Sequence, residues 1–362
     1  MQTKHILPLT GLRFFAATWV VSFHFQYLLY LLFPFLSPWL SPFSNLGYHA
    51  VSLFFILSGF ILSHNYFASY SLSRHPQFIF LRFARVWPVH CLTLLFLVMG
   101  QDAFPLGQNV YTLKGDILKA FLEELFMVRY WLPVFIRQHW RPAPFLWNAP
   151  AWTLSVEWFA YIVLFPLAFI FFKRIRSWRM LAVLITLFLI LQSCLPMVKY
   201  CGDCGTIYFF FLAGSALYQI HSLVKNPPAE AIVVGGLLLF VAYVLLNKWL
   251  PVCVLYAAFV LLIFGLSWER GFLSRLLSTK LVVAGGLASY SLYMTHFLVR
   301  RSYLLFFWQR VPESMLLRVL IFLVTVGALA GLALLTYHYV EVPANRLLRR
   351  FAQRLQPQVD VK

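Results

Sequence analysis

Apolar residues run along this chain in long blocks separated by short polar loops, not in the two-residue alternation of strands. A membrane-spanning helix needs about 20 mostly apolar residues. Ten runs approach or meet that length: residues 6–29, 47–66, 78–99, 150–172, 179–195, 205–222, 231–246, 251–266, 281–307 and 315–339. The third carries Arg82, Arg85 and Pro88 in its first half and is the weakest of them. The pattern predicts an all-α, polytopic integral membrane protein of about ten transmembrane helices. No linker marks a second domain, so residues 1–362 read as one transmembrane unit. No sequence period of about 20–50 residues recurs, which excludes a solenoid.

The stretch 114–128 departs from this pattern. Ile117, Leu118, Phe121, Leu122, Leu125 and Phe126 share one face at helical spacing, with Lys119, Glu123 and Glu124 off it. That arrangement predicts an amphipathic helix lying in the membrane interface. It belongs to the longest loop, residues 100–149.

Composition agrees with the spans. Hydrophobic residues make up 62% of the chain and charged residues 11%, against about 45–50% and about 25% in soluble domains. The first run is long enough to span and contains Arg13 and His24, so it is not read as a cleavable signal peptide.

The net charge is +18. A nucleic-acid surface would gather its basic residues on a soluble face. Here they sit in loops between apolar runs, which fits membrane topology and gives no reason to expect a nucleic-acid partner. With the N-terminus inside, the cytoplasmic side holds 17 of the 29 Lys and Arg, and the short outer loops hold only Lys199, Lys248, Arg300, Arg301 and Arg310. Both termini are then cytoplasmic.

Five cysteines give no metal signature. Cys91, Cys194 and Cys253 fall in apolar runs as packing residues. Cys201 and Cys204 share a short loop, where a local disulfide or an ordinary turn fits; a zinc site lacks its second ligand pair.

Ionisable residues inside spans are costly and tend to face the bundle interior. Arg13, His24, His64, Glu157 and His296 are candidates. Arg13 and His24 are eleven residues apart, about three turns, so they share a face about 16 Å apart along the axis. His24, Glu157 and His296 reach a similar depth near the outer side. A carboxylate beside an imidazole suits general-base catalysis, with Glu157 orienting His24. At the cytoplasmic side Arg82 and Arg85, at i and i+3, offer two guanidinium forks that suit phosphates. Each residue also has a plainer reading: the arginines as positive-inside anchors, the histidines as hydrogen-bonded packing residues, Glu157 as the partner of an outer arginine. Ser58-Gly59 reads as a close helix–helix contact rather than a nucleophile.

In order along the chain, these residues fall in blocks that resemble the acyltransferase-3 family of integral membrane acyltransferases. The blocks are Leu9-Thr-Gly-Leu-Arg13-Phe-Phe-Ala-Ala with Val21-Ser-Phe-His24, Val51-Ser-Leu-Phe-Phe-Ile-Leu-Ser-Gly59-Phe, and Arg82-Phe-Ala-Arg85-Val-Trp-Pro88. Trp152-Thr-Leu-Ser-Val-Glu157-Trp, Ser289-Tyr-Ser-Leu-Tyr-Met-Thr-His296 and Tyr339-Val-Glu341-Val-Pro343 complete them. The resemblance implies a ten-helix fold in a bacterial inner membrane. It also implies an acyl-coenzyme A donor, usually acetyl-CoA, and a hydroxylated acceptor such as lipopolysaccharide O-antigen, exopolysaccharide or another glycan or glycolipid.

The resemblance further implies His24 and Glu157 as catalytic residues, with Arg13, Arg82, Arg85, Tyr293 and His296 on the donor. Trp152 is expected on the acceptor. No metal is expected, nor a fused extracytoplasmic esterase-like domain. Membrane lipid is an expected partner, and the oligomeric state is left open. Direct attack and an acyl-histidine intermediate both fit. A transporter of a small anionic or acyl-bearing solute is the alternative, because transporters also place histidines and carboxylates at the midplane.

Overall fold

The computed structural model describes residues 5–100, 117–129, 131, 147–194, 204–307 and 312–354. Among them there is no strand. Sixteen α-helices follow in chain order: α1 Leu7–Leu32, α2 Ser37–Ser44, α3 Ala50–Tyr66, α4 His75–Met99, α5 Ile117–Leu125, α6 Trp152–Phe159, α7 Phe165–Phe172 and α8 Trp178–Cys194. Then come α9 Cys204–Leu223, α10 Ala229–Leu246, α11 Cys253–Leu266, α12 Phe272–Leu277, α13 Lys280–Leu287, α14 Ser289–Phe307, α15 Met315–Thr336 and α16 Val342–Arg354. Two π-helical turns, Ala160–Leu164 and Tyr337–Glu341, join α6 to α7 and α15 to α16.

Among the described residues six segments are long and apolar enough to cross a membrane: Leu7–Leu32, Pro34–Tyr66, Leu72–Met99, Ala149–Phe172, Ala229–Leu246 and Met315–Ala352. α13 and the first part of α14 make a seventh if the pair, bent by 65°, counts as one span. Trp178–Ser193, Ile207–Leu223 and Cys253–Leu266 are shorter apolar helices. Among the described residues each run read from the sequence falls on one or more helices, but six segments rather than ten meet the length requirement outright. The protein is an integral membrane protein.

Lipid chains are as apolar as Leu, so helices here associate by close packing rather than by escape from water. Small residues supply the approach. A Cβ on Gly59 of α3 would collide with the Phe211 carbonyl of α9, and one on Gly214 of α9 would collide with the Ile56 carbonyl of α3. Ser215 adds a hydrogen bond to the Gly59 carbonyl at 3.4 Å. Gly59 is thus a helix–helix contact, as its position in the span suggests. Gly286 of α13 meets the Thr10 carbonyl of α1 in the same way. Phe60, Phe210, Phe211 and Phe259 fill the core around these contacts and are buried.

The apolar pattern draws residues 281–307 as one continuous span. The structure breaks it at Ala288 between α13 and α14, where Gly285 and Gly286 pack on α1 and Ser289 donates to the Gly286 carbonyl at 2.7 Å. The break turns Ser289, Tyr290 and Tyr293 towards an internal cavity.

Two further expectations are corrected. Arg300 and Arg301, counted with the outer loops although they fall in the run 281–307, lie within α14 and are partly buried. In α5 the inward face carries Ala120 and Glu124, both buried, while Leu118 and Leu122 are exposed. The sequence pattern puts Glu124 on the polar side. It turns inward because its carboxylate meets Arg129 at 4.0 Å and its carbonyl accepts the His90 Nε2–H at 2.7 Å. Cys201 lies outside the described residues, so the Cys201–Cys204 pairing does too.

Candidate active site

A cavity of about 140 Å³ lies between α1, α3, α4, α6 and the start of α14. Arg13, Arg82, Arg85 and Glu157 bring charge to its wall, with Ser58, Tyr161 and Tyr293 among its polar neighbours. Three guanidiniums and one carboxylate leave a surplus of positive charge in a confined space, which suits an anionic ligand.

The helices fix these side chains by ordinary rules. Arg82 and Arg85 are three residues apart on α4 and so reach the same side. Arg82 donates from Nη2 to the Tyr66 hydroxyl at 2.9 Å, and its guanidinium lies 5.4 Å from the Tyr66 ring centroid. Arg85 forms an ion pair through Nη1 with Glu341. Glu341 is 1% exposed and accepts a hydrogen bond from Ser291 at 2.6 Å. Arg13, from α1, shares the cavity wall with Arg85 and Glu157. The π turn that ends at Glu341 aims this carboxylate inward; such turns recur at functional sites.

Glu157 accepts hydrogen bonds from Ser58 at 3.3 Å and from the Tyr161 hydroxyl. Among the described residues no hydrogen bond joins it to His24. Glu157 faces the arginine cavity. The reason lies one turn further along, where Tyr161 folds back onto the carboxylate as a local partner.

His24 and His296 form a second centre beyond the cavity wall. Their ring centroids are 5.1 Å apart and tilted by 38°. His24 is partly buried and His296 is 0% exposed. Arg300 donates from Nε to the His24 carbonyl at 3.0 Å, tying α14 to α1 at this level. Tyr293 links the two centres. Its ring lies 5.8 Å from that of His296, and its hydroxyl accepts from Thr153 at 3.1 Å while it lines the cavity.

Trp152 stands apart from both. It lines a gap of about 10 Å³ shared with Glu123, Glu124 and Arg129 beside α5, too small to hold more than about one water. His64, the remaining in-span candidate, packs against Phe60 and Tyr218 at 6.4 and 5.8 Å between ring centroids. Among the described residues no group of His, Cys, Asp or Glu could hold a metal ion.

Sequence reasoning misses Glu341, Ser291 and Arg300 as site residues. Glu341 falls just past the end of the last apolar run at residue 339, and Arg300 reads as a topological charge. The signal for Glu341 is its block, Tyr339-Val-Glu341-Val-Pro343: a lone carboxylate amid apolar residues.

The family described as acyltransferase domain has a sequence profile that matches residues 7–337 of this chain. The chain is also 32% identical over 173 residues to the protein named acyltransferase MdmB of Streptomyces mycarofaciens. That match covers 48% of this chain and 41% of the relative, so the chain spans about two fifths of the length of the curated relative it matches. No solved structure matches the chain.

Proposed function

The chain belongs to the acyltransferase-domain family, and from that premise we propose that it moves an acyl group, acetyl in the simplest case, from cytoplasmic acyl-coenzyme A to a glycan hydroxyl on the far side of a bacterial inner membrane. The observation that carries this reading is the cavity with Arg13, Arg82 and Arg85 on its wall, next to an imidazole pair one step further across the bundle. Coenzyme A is a polyanion with a long, thin arm ending in the thiol. The cavity is smaller than the 300–1,000 Å³ or so of a whole small-molecule site, and so suits one segment of the donor rather than all of it. Arg82 and Arg85 hold phosphate oxygens, Arg13 holds the arm, and Tyr293 lies on the path from the cavity to His24.

His24 then serves as general base. It takes the proton of the acceptor hydroxyl, whose oxygen attacks the thioester carbonyl. The carbon–sulfur bond breaks, and the coenzyme A thiolate leaves and recovers the proton. Glu157 limits the positive charge of the cavity and keeps Ser58 and Tyr161 in place. Sugar hydroxyls approach from the outer side, beside α5 and Trp152.

Isothermal titration of coenzyme A into the purified protein in nanodiscs tests the donor half of this reading. A hydrogen bond to a charged group contributes about 1.5–3 kcal/mol, so Arg82→Gln is expected to weaken binding by about tenfold or more. Wild-type affinity in Arg82→Gln, or no binding by the wild type, would remove the arginine cavity from the donor path.

A further inference from the structure

His296 stands out among the buried polar groups. Its Nδ1 lies 2.6 Å from the Tyr293 carbonyl oxygen. A carbonyl only accepts, so Nδ1 carries the proton and the neutral ring presents Nε2 as a bare acceptor. That Nε2 is buried and has no hydrogen-bond partner among the described residues. Buried acceptors are ordinarily satisfied, so one left open calls for a donor.

The surroundings narrow the choice of donor. The Tyr293 hydroxyl already serves the Pro150 carbonyl at 3.3 Å. The Asn148 amide is shared between Thr93 at 3.3 Å and the Met294 carbonyl at 3.2 Å. Arg300, one turn along α14, directs its Nε to the α1 backbone at His24. The ring that faces His296 is His24, 5.1 Å away between centroids.

Resting on the reading of His24 as general base, we propose that His296 is the positioning residue of that base: its Nε2 accepts the ring N–H of His24. This bond fixes the tautomer of His24, so the other nitrogen presents its lone pair to the acceptor hydroxyl. As that nitrogen takes the hydroxyl proton, the His24 imidazolium keeps its N–H directed at His296. The proton then passes from His24 to the departing thiolate. His296 neither gains nor loses a proton across the cycle. Its place is the one the sequence assigns to Glu157, filled here by a neutral ring whose own orientation is locked by the α14 backbone. A neutral acceptor suits this depth, where a second ionised group would be costly.

The tautomer can be read without turnover. In full-length protein labelled with ¹⁵N-histidine in nanodiscs, His296 is expected as the Nδ1–H tautomer. A scalar coupling across an N–H···N bond to His24 is expected as well, vanishing in His24→Phe. Observation of His296 as the Nε2–H tautomer, or of no coupling between the two rings, overturns the proposal.

Kinetics supply the second readout. His296→Gln offers an amide oxygen near the position of Nε2, whereas His296→Leu fills the space without an acceptor. The expected result is a kcat for acetyl transfer lowered at least tenfold in His296→Leu and largely kept in His296→Gln. Coenzyme A affinity and Tm are expected near wild type in both. Equal kcat in the two variants overturns the positioning role. Full activity in His24→Ala, with the coupling still present in the wild type, instead removes the base assignment on which it rests.

Discussion

Arg85 lines the cavity while its Nη1 is held by a buried carboxylate. Glu341 cannot be left alone at 1% exposure; breaking a buried pair from one side costs about 3–5 kcal/mol. Arg85→Met is therefore expected to lower the unfolding free energy by an amount within that range. Adding Glu341→Leu removes the stranded charge and is expected to restore most of the Tm, while coenzyme A binding stays weak. Thermal unfolding of the single and double variants in one detergent checks this. A double variant no more stable than Arg85→Met would show that the pair does not act as a unit. The sequence exposes Arg13, Arg82, Arg85 and Glu157 readily, because a charge in an apolar run is conspicuous. It does not reveal which carboxylate meets which cation. Tyr161 folds back on Glu157, and the π turn before α16 carries Glu341 to Arg85.

Elements follow the apolar pattern closely, and their meeting points follow the small residues. Gly59 and Gly214 face each other's backbones across α3 and α9, whereas a methyl group added at Gly327 on α15 would meet nothing within 4 Å. Ala at Gly59 is thus expected to destabilise by about 1–3 kcal/mol, the usual cost of overpacking. Ala at Gly327 is expected to be neutral or to stabilise by up to about 1 kcal/mol through helix propensity. Chemical denaturation in mixed micelles separates the two, and equal effects would contradict the packing described. The α13–α14 break is not legible as such. Gly285-Gly286 is visible in the sequence, but hydrophobicity alone runs straight through it. Only the close approach of α13 to Thr10 of α1 explains why the chain turns there and brings Tyr290 and Tyr293 to the cavity. The amphipathic α5 is legible as a helix but not in its rotation, because Glu124 turns inward through contacts with Arg129 and His90 that the local pattern does not carry.

Across the whole molecule, one bundle joins a cationic cavity to an imidazole pair. The proposed orientation, cavity towards the cytoplasm and imidazoles towards the outside, rests on the charge asymmetry of the loops. Single cysteines introduced at Lys225 and at Lys248 are expected to label from opposite sides in intact cells: a membrane-impermeant maleimide reaches Lys248→Cys directly, and Lys225→Cys only after permeabilisation. Labelling from the same side would contradict the topology. Everything proposed for this bundle converges on His24 as the base that drives acyl transfer from coenzyme A. The decisive assay is acyl transfer by the purified full chain in nanodiscs, with radiolabelled acetyl-coenzyme A and a panel of glycans, wild type beside His24→Ala. Labelled glycan is expected from the wild type, with a loss of about 10²–10⁴-fold in His24→Ala and coenzyme A binding unchanged. Transfer by His24→Ala at the wild-type rate would show that His24 is not the base.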